Sequence, residues 1–356
     1  MRQIEIGGVT ETIIEAGDYP PERIRQVLGS EIVAVLGYGV QGRSQSLNLR
    51  DRGLSVVVGL RPESRHWSTA VSDGWQPGST LLPLLDAAQR GNVVVYLLSD
   101  AGQMQQWPVI KPALTAGKAL IFAHGFALVY GDQTGVVPPE DVDVLLVAPR
   151  GSGTTLRRNF LTGTGLSGSI AVRQDASGRG RVRAEALGIA IGLSSLFETT
   201  FENEVICDLT GERGTLLGAI YGLWLAQYEV LREHGHSPAE AFNETVEEAT
   251  QSLYPLIAEN GIDWMYEHCS TTAQRGALDW FRRFRDAVKP VFEELYGRVA
   301  DGSETRRVLT ANSQPDYQER LTAELRAIAL SEMWRAGTAI RSLRPSAGKT
   351  DANNRK

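Results

Sequence analysis

The chain has 356 residues, 42% hydrophobic and 22% charged, which is the composition of a soluble globular protein with material for two packed cores. A formal charge of -6 and a pI near 5.6 leave no basic footprint for nucleic acid or an anionic membrane. No apolar run approaches the roughly 20 residues that span a bilayer, so neither nucleic acid nor membrane is an expected partner.

Two cysteines, Cys207 and Cys269, imply no disulfide framework and point to a reducing compartment. The opening MRQIEIGGVTETIIEAGDYPPERIRQ has neither an apolar signal core nor the basic, acid-poor character of a transit peptide. The expectation is a cytoplasmic protein.

From Glu31 the pattern becomes apolar strand, glycine turn and helix. Further short, continuously apolar runs follow at Leu54–Gly59, Asn92–Leu98, Ala119–Ala123 and Val144–Ala148. Such runs suit strands buried on both faces, and their alternation with crossovers predicts a Rossmann-like, doubly wound parallel α/β sheet. Ser169–Gln174 is a possible added strand. After about Gly180 helical periodicity takes over, at Arg183–Gly192, Leu216–His234, Pro238–Asn260, Leu278–Ala300 and from Pro315 to about Ser342. The expected organisation is a nucleotide-binding domain over residues 1–200, an all-α domain over 201–345 and a disordered tail over 346–356.

Gly37, Gly39 and Gly42 form GxGxxG between a strand and a helix, with Tyr38 and Gln41 inside the loop. The first glycine permits the turn, the second lets a pyrophosphate approach the backbone, and the third lets helix pack on strand. An NAD enzyme usually carries an acid at the end of the second strand. Here that strand runs into GLRPESRHWS, where Arg61, Ser64, Arg65 and Ser68 suit a 2′-phosphate and outnumber Glu63. NADP(H) is the expected cofactor.

Asp208 and Glu212 in FENEVICDLTGERG stand four residues apart on a segment expected to continue as helix through Leu223. Glu244 and Glu248 repeat the spacing in NETVEEA. Residues so spaced share a helix face, and like charges there favour a bridging cation. An all-oxygen donor set points to magnesium rather than zinc. The spacing leaves open whether Glu247 or Glu248 faces inward, and whether these pairs are ligands or solvated faces. His124 follows the ALIFA strand and Arg150 the next one, at the rim where open α/β sheets place ligands. His124 suits proton transfer or carbonyl polarisation equally with a structural role in its loop. His66, His234, His236 and His268 read as loop or surface residues.

In this order GYGVQG, GLRPESRHWS, LLSDAGQ, AHGF, APRGSG, QDASG, ETTFENE, DLTGERG, NETVEEA and EHCSTTAQRG resemble ketol-acid reductoisomerase, from the glycine motif to about Gly276. The resemblance implies two magnesium ions held by Asp208, Glu212, Glu244 and Glu248, with Glu247 outside. It implies His124, Arg150 and Glu248 as catalytic residues and Ser270 as a substrate contact. It also implies a knotted helical domain and, at this short-chain length, a homodimer or higher homo-oligomer whose neighbouring subunit supplies the second glutamate pair.

The reaction implied is alkyl migration in a 2-hydroxy-2-acyl acid, 2-acetolactate or 2-aceto-2-hydroxybutyrate. NADPH then reduces the product to the 2,3-dihydroxy-3-methyl acid of valine and isoleucine synthesis. Two positions depart from the family pattern: Arg150 stands for a lysine, and Thr210 for phenylalanine. They keep two alternatives in view, a reductase of altered substrate or lost isomerase step, and a non-catalytic NADP-binding oligomer.

Overall fold

The computed structural model describes residues 1–344, so the tail expected to be disordered over 346–356 lies outside the described residues. The chain divides into two compact units, one ending at Asp208 and the other beginning at Leu209.

The first unit is built on a ten-stranded sheet. Its strands are β1 (Arg2–Ile6), β2 (Val9–Glu15), β3 (Ile32–Leu36), β4 (Ser55–Gly59), β5 (Leu81–Leu82), β6 (Val93–Tyr96), β7 (Ala119–Phe122), β8 (Asp143–Pro149), β9 (Ser167–Gln174) and β10 (Ser195–Glu198). Across the sheet they run β1-β2-β10-β9-β8-β7-β6-β3-β4-β5.

The stretch from β8 to β5 is parallel throughout, and its order is that of the doubly wound dinucleotide fold. The expectation of a wholly parallel sheet needs correction beyond β8. There β9 turns back antiparallel, and β2 pairs antiparallel with β10, extending the sheet with the β1–β2 hairpin. The connection between β8 and β9 carries the Gly153–Thr162 helix and is long enough for a parallel crossover, so the reversal goes with the pairing of β9 between β8 and β10 and not with a short turn.

Burial explains why these strands lack alternation. Val33, Val35, Val58, Val93, Val95, Ile121, Leu145 and Val147 enter one core. Their neighbours Ala34, Leu36, Val57, Val94, Tyr96, Leu120, Phe122 and Leu146 enter a second core on the opposite face. Helices cover both sides, so every position is apolar.

The opposite edge from the ligand rim is closed by ions. Arg183, with 5% of its side chain exposed, donates to Glu31 at 2.9 Å and to Asp143 at 2.7 Å. It donates also to the Gly117 carbonyl. Glu31, Gly117 and Asp143 precede or open β3, β7 and β8, so one guanidinium ties three strand starts together.

The second unit is helical among the described residues. The expected unbroken helix from Asp208 through Leu223 is in fact two: Phe201–Arg213 ends, and Gly218–Glu233 begins anew. At Gly218 a Cβ would lie 2.2 Å from the Arg213 carbonyl, so the break closes only around glycine. The segment expected from Pro315 to Ser342 is likewise interrupted by Ser331, which caps Glu332–Ser342 through its hydroxyl. A helix at Ser303–Asn312 lies outside the expected set.

Glu304 in that helix carries a pH prediction. Arg307 and Arg213 bond its carboxylate and, against the cost of burial, bring it down to about 2 from the ordinary 4.5. A lowered folded value stabilises fully above pH 4.5, and the contribution is lost as pH falls from 4.5 through 2. Urea melts should show up to about 3 kcal/mol lost over that window, and Glu304→Gln should flatten the dependence.

Candidate active site

Strand order reverses between β3 and β6, and at that switch point the carboxyl ends of the two strands open a crevice. The glycine loop fills its rim. Gly37 has φ +107°, and a Cβ there would meet the Leu97 carbonyl at 2.5 Å, just past β6. At Gly42 a Cβ would meet the Gly37 carbonyl at 2.2 Å. Gly39 is different: a Cβ there would meet no atom within 4 Å. The first and third glycines therefore serve packing, and the middle one faces room for a ligand. Gly39 also caps the Val40–Asp51 helix, whose free amides point at that space. The dinucleotide motif fits its group.

Tyr38 is buried, and its hydroxyl donates to Asp73 at 2.8 Å while accepting from Trp75. Gln41 donates to the Gly151 carbonyl. In the loop after β4, Arg61 stays exposed 3.7 Å from Glu63, Ser64 accepts from the His66 amide, and Arg65 donates to the His66 ring. Ser68 sits on the Trp67–Ser72 helix. His66 is thus half-buried within this loop, and burial together with Arg65 holds its ring below the ordinary range.

A second group of side chains gathers at the ends of β7, β8 and β10. His124 follows β7, Arg150 follows β8, and the Phe201–Arg213 helix after β10 contributes Glu204 and Asp208. The His124 Nδ1 lies 3.0 Å from Asp208 and 3.6 Å from Glu204. Arg150 Nη1 lies 3.7 Å from Glu204, and the same guanidinium donates twice to Ser169 on β9, at 3.2 and 2.9 Å. Burial alone would depress His124, but the Asp208 and Glu204 carboxylates overcome it and lift the imidazole to about 10. Asp100, opening the helix after β6, is pushed up by burial; the His124 charge lowers it and Asp208 raises it further.

Glu204, Asp100 and Ser169 are the site residues that sequence reasoning missed. For Glu204 a signal existed, because it stands four residues before Asp208 as Glu212 stands four after, making one carboxylate row on one helix.

One ligand atom each from His124, Glu204 and Asp208 lies within 4.8 Å of the others. Glu204 is 2% exposed, and its Oε2 makes no close hydrogen bond among the described residues, with the His124 ring 3.6 Å away. A buried carboxylate oxygen without a close donor is costly, and a hard divalent cation beside Asp208 would satisfy it. The donor set fits such an ion.

Glu212 lies one turn beyond Asp208 on the same helix, half exposed and 3.5 Å from Arg213. In the second unit Glu244 and Glu248 are exposed, and the backbone around them is π-helical over Asn243–Glu247 and Ala249–Leu253. Helical turns of that kind are rare and cluster at functional sites. Glu247 is instead gripped by both arms of Arg344, at 2.8 and 2.6 Å. Ser270 caps the Thr271–Ala300 helix, accepting from the Ala273 amide.

Two family descriptions match the two halves of the chain: "Acetohydroxy acid isomeroreductase, NADPH-binding domain" over residues 27–196, and "Ketol-acid reductoisomerase, C-terminal domain" over 201–346. The chain belongs to the ketol-acid reductoisomerase family.

A ketol-acid reductoisomerase (NAD(+)) of Desulfosudis oleivorans is 58% identical over 97% of this chain and 98% of its own length. The mitochondrial ketol-acid reductoisomerase of Neurospora crassa is 55% identical over 97% of the chain and 86% of its own. A solved NADH-preferring ketol-acid reductoisomerase from an uncultured archaeon superposes with TM-score 0.83 at 34% identity, covering 94% of this chain and 99% of that one.

The family therefore includes a Rossmann-like NADP(H)-binding unit followed by an all-α unit, as found here. The cytoplasmic placement expected from the N-terminal composition is overturned, because fungal relatives at 51–55% identity are mitochondrial by name. The physical reason is simple: the same folded units serve in different compartments, so their composition carries no address.

Proposed function

We propose that this reductoisomerase acts on 2-acetolactate or 2-aceto-2-hydroxybutyrate at the crevice where the glycine loop and the His124–Glu204–Asp208 cluster lie along the strand ends. The observation that carries this reading is the buried Glu204 oxygen, left without a close hydrogen bond beside Asp208 and 3.6 Å from the His124 ring. Asp208 and Glu212 would hold the first share of two magnesium ions, and Glu244 and Glu248 the rest. Such ions supply Lewis-acid polarisation of the substrate's ketone and hydroxyl oxygens. The nicotinamide supplies the hydride.

The chain's own side chains do the positioning and the proton work. Glu248 is the carboxylate proposed to take the proton of the tertiary hydroxyl, so that the alkyl group can move to the neighbouring carbon. Ser270 orients the substrate through its hydroxyl. His124, once Asp208 and Glu204 are engaged by cations, loses the attraction that keeps it charged and can accept or return a proton. Arg150 cannot serve as an acid, so its part is fixed positive charge beside Glu204, its planar fork held by Ser169.

The loop bearing Arg61, Ser64, Arg65 and Ser68 is proposed to prefer NADPH over NADH, with Gly37, Tyr38, Gly39, Gln41 and Gly42 framing the pyrophosphate. Residues 1–200 and 201–345 are taken as the functional domains, the second following the knotted path of the family. A homodimer is proposed, with Glu244 and Glu248 completing a neighbour's site. Support comes from an apolar groove of about 300 Å³ on the helical unit, lined by Leu216, Leu217, Ile220, Trp224, Ile328 and Trp334.

Arg150 gives the test. If the position supplies charge rather than a proton, Arg150→Lys keeps kcat on 2-acetolactate within about fivefold. Arg150→Met then loses about 100-fold or more, the scale of one electrostatic donor at a reacting centre. Equal loss in both variants would contradict this role.

A further inference from the structure

Segment 61–75 lies between the glycine loop and β5, and the side-chain hydrogen bonds and ion pairs described for residues 61–66 stay within the loop itself. Its far end is held quite differently. Asp73, which ends the Trp67–Ser72 helix, receives both arms of Arg43 at 2.7 and 2.9 Å. The same carboxylate accepts the Tyr38 hydroxyl, and that hydroxyl in turn accepts the Trp75 indole N–H at 2.7 Å.

Arg50, two turns beyond Arg43 on the Val40–Asp51 helix, donates to the Asp73 carbonyl at 2.7 Å and lies over the Trp75 ring at 4.9 Å. Tyr38 sits between the first two glycines of the nucleotide loop, and Arg43 directly follows the third. Tyr38 and Trp75 are each 2% exposed, so their end of the linkage is dry, while the Arg43 side chain that grips Asp73 is partly exposed.

We propose that Tyr38, Asp73, Arg43 and Trp75 form a clamp that fixes the Arg61–Ser68 loop relative to the pyrophosphate loop, making Asp73 and Tyr38 positioning residues for NADPH over NADH. This rests on reading Arg61, Ser64, Arg65 and Ser68 as the 2′-phosphate site. Tyr38 belongs to the cofactor's loop, but its buried phenol is bonded to Asp73 and Trp75, so the hydroxyl acts through Asp73 rather than on the nucleotide. A bidentate guanidinium contact depends steeply on placement, whereas NADH offers that loop no phosphate to place.

The experiment compares steady-state kinetics of the full chain with NADPH and NADH, using 2-acetolactate and saturating magnesium, for Asp73→Asn, Tyr38→Phe and Arg65→Ala. The clamp predicts that Asp73→Asn raises KM for NADPH about tenfold, with KM for NADH and kcat within twofold. Tyr38→Phe, which removes a single oxygen and keeps the packing, should move the same ratio in the same direction. An unchanged NADPH:NADH ratio in both, with a lowered ratio in Arg65→Ala, overturns the clamp while sparing the phosphate loop. An unchanged ratio in Arg65→Ala overturns the loop reading and the clamp with it. Equal loss for both cofactors would mean general damage to the fold and would also overturn it.

Discussion

Asp208→Asn should lower kcat for 2-acetolactate by at least about three orders of magnitude while the dissociation constant for NADPH changes less than about threefold. Asp208 lies 3.0 Å from His124 and stands between Glu204 and Glu212 on one helix, so it is the residue shared by the histidine and both acids. An amide keeps the shape and removes the charge. It offers a cation one neutral oxygen, and it withdraws the attraction that lifts His124. Losses of that size follow when a preorganised charge at a reacting centre is deleted. The glycine loop belongs to β3 and the Val40–Asp51 helix, away from this side chain in the sheet order, and distant sites add independently. Nucleotide titration by fluorescence beside turnover separates the two quantities. Unchanged turnover, or loss of nucleotide binding in step with it, would remove Asp208 from the role proposed.

Arg183→Met should cost about 3–5 kcal/mol of stability and leave the chemistry intact. Its guanidinium is buried between Glu31 and Asp143, both nearly inaccessible, and methionine would leave those carboxylates short of their partner. Breaking a buried ion pair from one side costs that much because a charge remains in a poor solvent. Arg179 still reaches Glu31 at 3.0 Å, and Ser177 still serves Asp143, which should hold the loss toward the lower end. Thermal melting should drop by roughly 10 °C. Adding Glu31→Gln and Asp143→Asn should recover much of it, since the stranded charges are then gone. The cluster joins the amino ends of the strands, opposite the ligand rim, so kcat at low temperature should remain within about twofold.

What could be read in the sequence was what is local in the chain. Gly37, Gly39 and Gly42 announce their turn because their spacing lies within one strand–loop–helix unit, although only Gly42 meets its close contact there, at the Gly37 carbonyl. The apolar runs announce buried strands because both faces of the sheet are covered. Direction is another matter. Nothing in SIAVRQ distinguishes an antiparallel neighbour from a parallel one, so the Arg150–Ser169 contact, which depends on β9 lying beside β8, was out of reach.

The N-terminal hairpin did leave a mark. Gly7 and Gly8 both take positive φ, as a tight hairpin requires, and they separate the pairing halves of β1 and β2. Glu204 could have been found by extending the four-residue spacing one turn backwards. The choice between Glu247 and Glu248 could not. It turns on Arg344 nearly a hundred residues away and on π-helical turns that a 3.6-residue period does not describe.

The central claim is that one chain joins alkyl migration to hydride transfer. The measurement is NADPH oxidation by the purified chain with magnesium, supplied with 2-acetolactate in one arm and a preformed 2-keto acid such as hydroxypyruvate in the other, with products identified. 2-Acetolactate should drive NADPH oxidation and yield the 2,3-dihydroxy-3-methyl acid one for one, and chelating the metal should stop it. Oxidation with the preformed keto acid alone, and none with 2-acetolactate, would contradict the claim.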